Sequence, residues 1–354
     1  MWEIVLLLEV SALVSLLLYV FLSKRGRRTR WFVIAMRGER DAKIYEELFK
    51  KRSKVLLPSI IGSKGNRVVA VTTVLFSLAL VSFTAYKAVS SKHAQMMLVI
   101  PGVTIKTLYG IVGILVSIPY AVFIHEASHA FAGIRRGIRP KGTGVISLGP
   151  FVLAYVTFED EEEVDSVVAS AGVLANFVAA IMFVILLNAL VYLLSPYSSG
   201  VLVTSGPEGL VGKVIIAVNG VSVSNVNEFL EVRSKIPDGD VVELKLADGS
   251  AFLYVKGSSS LALTNRYFGG ILGVIVAITL AIMYRSFVIN FSLGVINALP
   301  IIGLDGSKIV YDILKDKIKN EGALFAILMS LSAYSIILLI LSIVPRSRTP
   351  SVSP

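Results

Sequence analysis

Two histidines and a glutamate in an apolar segment, residues 118–133, have the spacing of a metal-dependent hydrolase. His125 and His129 are four positions apart, so a helix places both imidazoles on one face, where they can bind the same metal ion. Glu126 stays free to act as a general base on a water molecule that the metal activates. Ionisable residues are costly in an apolar helix and mark a function there. The pattern therefore predicts catalytic metal binding; two helix histidines with unrelated hydrogen bonds are the alternative.

The third metal ligand has few candidates in this chain. There is no cysteine, and the remaining histidine, His93, precedes His125 by 32 residues, which places it near the opposite membrane face. We therefore expect a carboxylate to complete the site, unless a second chain supplies the ligand. Asp305, which follows Pro300, is the strongest candidate, although a simple Asp-Gly turn at the membrane surface explains it better when it is taken alone.

The composition is that of a polytopic α-helical membrane protein. Hydrophobic residues make up 55% of the chain and charged residues 16%, and several apolar runs are long enough to span a bilayer. We predict about six transmembrane helices, which cover residues 4–22, 68–89, 108–134, 167–194, 268–300 and 323–344. A single tilted or kinked helix is predicted for residues 268–300, because a helical hairpin there would need turn residues that are nearly absent.

Basic residues predict the orientation of these helices. Residues 24–67 contain 14 of the 34 Lys and Arg residues, and positive loops between spans mark the cytoplasmic side. The net charge of +10 thus reflects topology and attraction to the lipid bilayer, and we expect no nucleic-acid partner. Both termini and residues 200–257 are then expected outside, and residues 306–321 inside. The prediction is a multi-pass protein of the cell membrane whose metal site lies nearer the cytoplasmic face.

Two stretches between the predicted helices favour β-structure. Residues 142–158 are rich in β-branched and aromatic residues and predict a short membrane-associated hairpin or sheet; an ordinary loop is the alternative. Residues 199–258 alternate short apolar runs with turns and predict a small soluble α+β domain. The predicted domains are an N-terminal anchor helix with a basic cytoplasmic segment (1–67), two parts of a membrane catalytic core (68–198 and 259–345), the soluble domain (199–258) and a disordered tail (346–354).

Three motifs, in this order, resemble the site-2 protease family of intramembrane zinc metalloproteases, in its eukaryotic and archaeal branch. They are His125-Glu126-x-x-His129, Ala171-Gly172-x-x-x-Asn176 and Asn297-x-x-Pro300-x-x-x-x-Asp305-Gly306. The resemblance covers roughly residues 98–344. It implies that His125, His129 and Asp305 are Zn2+ ligands and that Glu126 is the catalytic base. It also implies that Asn297 and Asn176 are polar groups for substrate binding. It also implies that residues 200–257 form a PDZ-like domain.

The resemblance further implies that membrane-anchored proteins are cleaved within their transmembrane segments. A helix engages its peptide groups in internal hydrogen bonds, so the substrate must unwind, and the β-like stretch at residues 144–158 offers an edge for pairing. A membrane metal-ion transporter is an alternative, but it requires further polar residues along the spans, and few are present. A non-catalytic membrane scaffold with a peptide-binding domain is another, and the complete set of His, Glu and Asp residues argues against it. Neither the substrate nor the oligomeric state follows from the sequence.

Overall fold

The computed structural model describes residues 33–38, 63–91, 95–96, 108–148, 151–159 and 164–343. Within these residues, five helices are long and apolar enough to cross a membrane. The predicted span at residues 4–22, the histidine at position 93 and the predicted tail at residues 346–354 lie outside the described residues. Five of the predicted spans can therefore be compared with helices of the structure.

The long helices agree with these five predicted spans to within a few residues. In chain order, the helices are α1 (Ser63–Ser91), α2 (Leu108–Arg135), α3 (Ser166–Leu194), α4 (Val226–Ser234), α5 (Gly270–Ala298), α6 (Asp305–Leu314) and α7 (Glu321–Ile343). The segment predicted as one long helix is indeed the single helix α5. It ends shortly before Pro300, which has no backbone N–H to continue the helix.

A three-stranded antiparallel sheet accompanies the membrane helices. Its order is β1 (Val33–Gly38), β2 (Pro140–Leu148) and β3 (Phe151–Phe158), with β2 in the centre. The hairpin of β2 and β3 agrees with the predicted β-structure at residues 142–158. Strand β1 is a difference, because the sequence analysis treats residues 24–67 only as a basic segment. A six-residue strand has little pattern of its own, and its partner β2 lies far along the chain.

The segment between α3 and α5 folds as an α+β domain with its own core. Its strands are β4 (Ser198–Ser205), β5 (Val214–Val218), β6 (Val221–Ser222), β7 (Val241–Leu246), β8 (Ala251–Val255) and β9 (Ala262–Tyr267). The sheet order is β8-β7-β5-β4-β9, and β6 pairs with β5. Val201, Ile215 and Leu244 from this sheet are buried together with Phe229 of α4. The sheet extends past the predicted boundary at residue 258, because its last strand pairs with its first.

The described chain divides into two compact units. The first unit comprises Met1–Thr104, Ile118–Ala180 and Val288–Pro354, and the second comprises Ile105–Ser117 and Ile181–Phe287. The first unit holds the three-stranded sheet, α1, α6, α7 and the parts of α2, α3 and α5 that carry the predicted site residues. The second unit holds the α+β domain and the remaining parts of those three helices.

Small and branched residues let the helices of the first unit pack closely. Val81 of α1 lies in one cluster with Leu338 of α7, and Ala70 of α1 lies in another with Ala169 of α3 and Ile309 of α6. Lipid tails are as apolar as the helices, so the hydrophobic effect does not drive the helices together in the membrane. Close van der Waals packing of this kind does so instead. Helix α1 therefore supports α6 and α7, which fix the position of Asp305.

Candidate metal centre

Three side chains of the first unit converge on one point: His125 and His129 of α2, and Asp305 at the first position of α6. The Nε2 atoms of the two histidines are 3.1 Å apart, and they lie 3.0 Å and 3.1 Å from Oδ2 of Asp305. All three residues are buried. Across the described ranges, this is the group of His, Cys, Asp and Glu side chains whose ligand atoms lie close enough together to hold a metal ion. The structure thus brings together the three predicted ligands.

Hydrogen bonds to the outer ring nitrogens determine which nitrogens are free for a metal. Nδ1 of His129 lies 2.8 Å from the backbone oxygen of Val168, which only accepts, so Nδ1 carries the proton and Nε2 keeps its lone pair. Nδ1 of His125 lies 2.5 Å from Oδ1 of Asn176. Two acceptors support that amide orientation, because Nδ2 of Asn176 donates to the backbone oxygen of Ala121 and to Oδ1 of Asn290. His125 therefore also presents a lone pair at Nε2.

Three acceptor atoms consequently face one another in a buried space. Two imidazole lone pairs and a carboxylate oxygen repel one another unless a positive charge lies between them, and a metal ion satisfies all three at once. Zinc bonds of about 2.0–2.1 Å separate the ligand atoms of a tetrahedral site by roughly 3.3 Å, which is close to the spacing observed here. Two histidines and a carboxylate, with one position left open, are also a ligand set of catalytic zinc sites. The residues fit the metal.

The glycine after Asp305 explains how α6 can begin at the site. A Cβ atom on Gly306 would collide with the backbone oxygens of Ala298, the last residue of α5, and of Leu299, which follows it. Only glycine allows this approach, so the Asp-Gly pair is a close contact between two helices and not a simple surface turn. The other carboxylate oxygen, Oδ1 of Asp305, lies 3.7 Å from the ammonium group of Lys308 on the exposed side.

The loop that leads to Asp305 is held by a serine of α7. The hydroxyl of Ser332 accepts a hydrogen bond from the N–H of Ile302 at 2.8 Å and donates one to the backbone oxygen of Pro300 at 3.0 Å. The hydroxyl thus bonds to two backbone groups of the segment between α5 and α6. Ser332 therefore fixes the path of the chain from α5 to the third ligand.

Helix α3 reaches the ligands through Gly172. A Cβ atom on Gly172 would lie 2.8 Å from Cε1 of His125 and closer still to Nε2 of His129. One helical turn later, the amide of Asn176 is fully buried and contacts His125 and Oδ1 of Asn290. The second sequence motif thus has a physical basis: glycine makes room for the imidazoles, and asparagine orients one of them.

The remaining predicted site residues occupy different places around this group. Glu126 follows His125 in α2, is half-buried and does not belong to the metal-binding group. Nδ2 of Asn297 lies 3.5 Å from Nε2 of His125, beside the point where the ligands meet. Asn176 makes a supporting contact with a metal ligand, and its predicted role in substrate binding stays a prediction.

Two supporting groups of the site are not predicted from the sequence. The acceptor for His129 is the backbone oxygen of Val168, and no residue type marks such a group. Asn290, which contacts Asn176, precedes Asn297 by seven residues and so lies on the same face of α5. That spacing of two amides in an apolar helix is the signal that could have indicated Asn290.

The apolar helices indicate an integral membrane protein, and the buried group of two histidines and an aspartate could hold a metal ion. The chain belongs to peptidase family M50, the site-2 protease family, whose model matches residues 109–341, well over half of the chain. The family model thus agrees with the resemblance noted from the motifs. Helix α1 and strand β1 precede the matched region.

A relative from Methanocaldococcus jannaschii, the uncharacterized protein MJ0971, is 28% identical to this chain over 220 residues. The match covers 58% of this chain and 57% of that protein. The chain thus spans little more than half the length of this relative, whose name states no activity.

Proposed function

We propose that the protein is an intramembrane zinc endopeptidase that cleaves transmembrane segments of membrane-anchored proteins. The observation that carries this proposal is the convergence of His125, His129 and Asp305 beside Glu126 in a membrane helix. Membership of peptidase family M50 supports it. Ion transport receives no such support, because the described spans contain few further ionisable residues that would continue a path.

The chain's own residues have distinct roles in this reaction. His125, His129 and Asp305 would hold the zinc ion, which would supply Lewis-acid chemistry at this point. Glu126 takes the proton from the attacking water and returns it to the leaving amine. Asn297 donates a hydrogen bond to the scissile carbonyl as negative charge develops there. Because the ligands are buried, these charges act in a medium of low dielectric constant, which strengthens their effect.

The proposed docking element for the substrate is strand β3. An unwound transmembrane segment in lipid needs new partners for its backbone groups, and a strand edge offers them. β3 lies at one edge of the described sheet, while β1 pairs with the other side of β2. Phe158 at the end of β3 packs with Ala132 of α2 and Ala171 of α3, the two helices that carry the histidines and Asn176.

We also propose an orientation in the cell membrane. The basic segment before α1 and the Lys-rich segment around α6 favour the cytoplasmic side. α2 then runs from outside to inside, and His125 and His129 in its second half lie nearer the cytoplasm. The α+β domain lies outside, where its single helix and antiparallel sheet suit a PDZ-like module that binds peptides.

The proposal is tested by separating metal binding from catalysis. Purified wild type and Glu126→Gln should each retain about one zinc per chain. Cleavage of a model membrane-anchored substrate should fall by about 10²- to 10⁴-fold in the variant, because a general base is lost. Asp305→Ala should lose both zinc and cleavage. Glu208→Gln, an exposed carboxylate of the α+β domain, is the matched control and should behave as wild type.

Two outcomes would contradict the proposal. Normal cleavage by Glu126→Gln would show that Glu126 is not the general base. Stoichiometric zinc of unchanged affinity in Asp305→Ala would show that Asp305 is not a zinc ligand. Zinc flux into liposomes that persists in Glu126→Gln would favour a transporter.

A further inference from the structure

We propose that Asn290 of α5 is a positioning residue for the metal site, which acts through Asn176 on His125. The inference rests on the metal site proposed above. Asn290 is fully buried in an apolar helix, and its Oδ1 accepts a hydrogen bond from Nδ2 of Asn176 at 2.9 Å. A buried amide is costly in lipid unless it is hydrogen-bonded, and Asn176 provides such a hydrogen bond for Asn290.

Two acceptors determine the orientation of the Asn176 amide. Its NH2 group has two hydrogens, and both are used: one goes to the backbone oxygen of Ala121 at 3.1 Å and the other to Oδ1 of Asn290. If the amide were reversed, its oxygen would face these two acceptors. The pair of acceptors therefore keeps Oδ1 of Asn176 directed at His125.

This orientation acts on the ring of His125. With an oxygen in front of it, Nδ1 of His125 must carry the proton, and Nε2 is left free for a metal. A reversed Asn176 would present its NH2 group instead, and the proton would move to Nε2, where it blocks metal binding. Asn290 is thus the outer member of a chain of contacts that ends at the ligand atom.

Helix α5 therefore acts on both nitrogens of the same ring. Nδ2 of Asn297 lies 3.5 Å from Nε2 of His125, and Asn290 acts on Nδ1 through Asn176. The seven-residue spacing puts the two amides on one face of α5. One helix thus places one amide beside Nε2 of His125 and a second amide behind the contact to Nδ1.

The test is a double-mutant cycle with metal affinity as the readout. Co2+ binding is measured by competition and by its visible absorption in wild type, Asn290→Leu, Asn176→Leu and the double variant. Loss of a supporting contact to a ligand costs about 10- to 100-fold in affinity, and we expect Asn176→Leu in that range and Asn290→Leu at its lower end. In the double variant, the loss should equal that of Asn176→Leu alone, since Asn290 then has nothing to act through.

Three further variants complete the design. Asn290→Asp keeps an acceptor of the same length and should bind Co2+ more tightly than Asn290→Leu. Ser286→Ala is the matched control: it removes a buried polar group from the same helix, one that bonds to Ser117, and it should leave the affinity and the Co2+ spectrum unchanged. If Asn290→Leu does not fold, Asn290→Ser carries the test, because its hydroxyl is too short to reach Asn176.

The outcomes separate this inference from the proposed function. If wild type binds Co2+ and Asn290→Leu binds it equally well, or if the losses add in the double variant, the inference is overturned while the metal site stands. If wild type binds neither Co2+ nor Zn2+, both are overturned.

Discussion

The carboxylate of Asp312 accepts a hydrogen bond from the backbone N–H of Ser166 at 2.9 Å, which bonds α6 directly to the first residue of α3. Helix α6 begins with Asp305, and the first turn of α3 contributes the backbone oxygen of Val168 that orients His129. A contact far from the ligands therefore fixes the spacing of the two elements that meet at them.

The start of α3 has a second anchor. Asp165 accepts hydrogen bonds from the N–H groups of Val167 and Val168 at 3.0 Å, which caps the helix, and it forms an ion pair with Arg136 at 2.6 Å. Arg136 directly follows α2. The three helices that surround the histidines and the aspartate are thus joined by polar contacts at one end.

We expect Asp312→Asn to destabilise the protein in a way that depends on pH. Burial alone would raise the pKa of the Asp312 carboxyl, but the Lys315 ammonium at 2.8 Å and the N–H of Ser166 outweigh it and hold this pKa below its ordinary value. The ionised form is therefore favoured by folding, and its stabilisation is present above the unfolded pKa of about 3.9 and lost as the pH falls through the folded pKa. The thermal midpoint of the variant in detergent should be lower by roughly 3–8 °C at pH 7.

The difference between wild type and Asp312→Asn should shrink as the pH falls below about 4. Asp316→Asn, an exposed carboxylate just after α6, serves as the control and should unfold as wild type does at every pH. A gap that stays constant down to pH 3 would show that the charge of Asp312 does not contribute.

Gly172→Ala should weaken zinc binding while the helices still form. The added methyl group would come within 2.8 Å of His125, and real side chains do not approach so closely, so an imidazole or α3 must shift. We expect the affinity for zinc, measured by competition with a chelating dye, to fall at least about tenfold. Gly322→Ala adds the same methyl group to α7, where the nearest neighbouring atom is at 3.3 Å, and should bind zinc normally. Equal affinity in the two variants would mean that α3 does not press against the ligands.

Proline substitutions in β3 test the proposed docking edge. Neighbouring residues of a strand direct their N–H groups to opposite sides, so of Leu153 and Ala154 one faces β2 and the other faces the open edge. The proline that removes the outward N–H should leave folding and zinc content intact but reduce cleavage of a membrane-anchored substrate by roughly 5- to 150-fold, the effect of one or two lost hydrogen bonds. The other proline should instead lower the thermal midpoint.

Strand β1 provides the control for this experiment. Ile34→Pro and Ala35→Pro likewise place one proline towards β2 and one away from it, at the opposite edge of the described sheet. The variant whose proline removes the outward N–H of β1 should cleave the substrate normally. If the outward proline in β1 reduces cleavage and the β3 variants cleave normally, the substrate docks on β1.

Cysteine labelling tests the orientation, and the chain has no cysteine of its own to interfere. A cysteine at Ser222, exposed in β6, should react with an impermeant maleimide from outside, and a cysteine at Lys317, exposed after α6, only from the cytoplasmic side. Each of the two positions serves as the experimental control for the other in the same membrane preparation. Labelling of the Ser222 position from the cytoplasm alone would invert the proposed topology.

Much of the candidate site follows from residue types and short spacings. A four-residue separation in a helix is enough to pair His125 with His129, and the absence of cysteine directs attention to a carboxylate such as Asp305. The long helices follow from apolar runs, because lipid permits few other structures. These features depend on residues that are close together in the chain, so they can be predicted from a single sequence.

The remaining features depend on contacts between distant segments. Strand β1 is defined by its pairing with β2, and its own six residues do not indicate it. The role of Gly172 depends on how close α3 comes to α2, and that of Ser332 on a loop that precedes it by about thirty residues. Such distances arise from packing, which residue type alone does not specify.

The pairing of Ser198 in β4 with Tyr267 in β9 has a consequence for the evolution of this chain. The first and last strands of the α+β domain run side by side, about 5 Å apart, so the polypeptide leaves the domain next to the place where it came in. A short turn could bridge that gap and keep the ends of α3 and α5 at the same separation. The α+β domain can therefore be lost, exchanged or duplicated without changing the separation of the two helices that it connects.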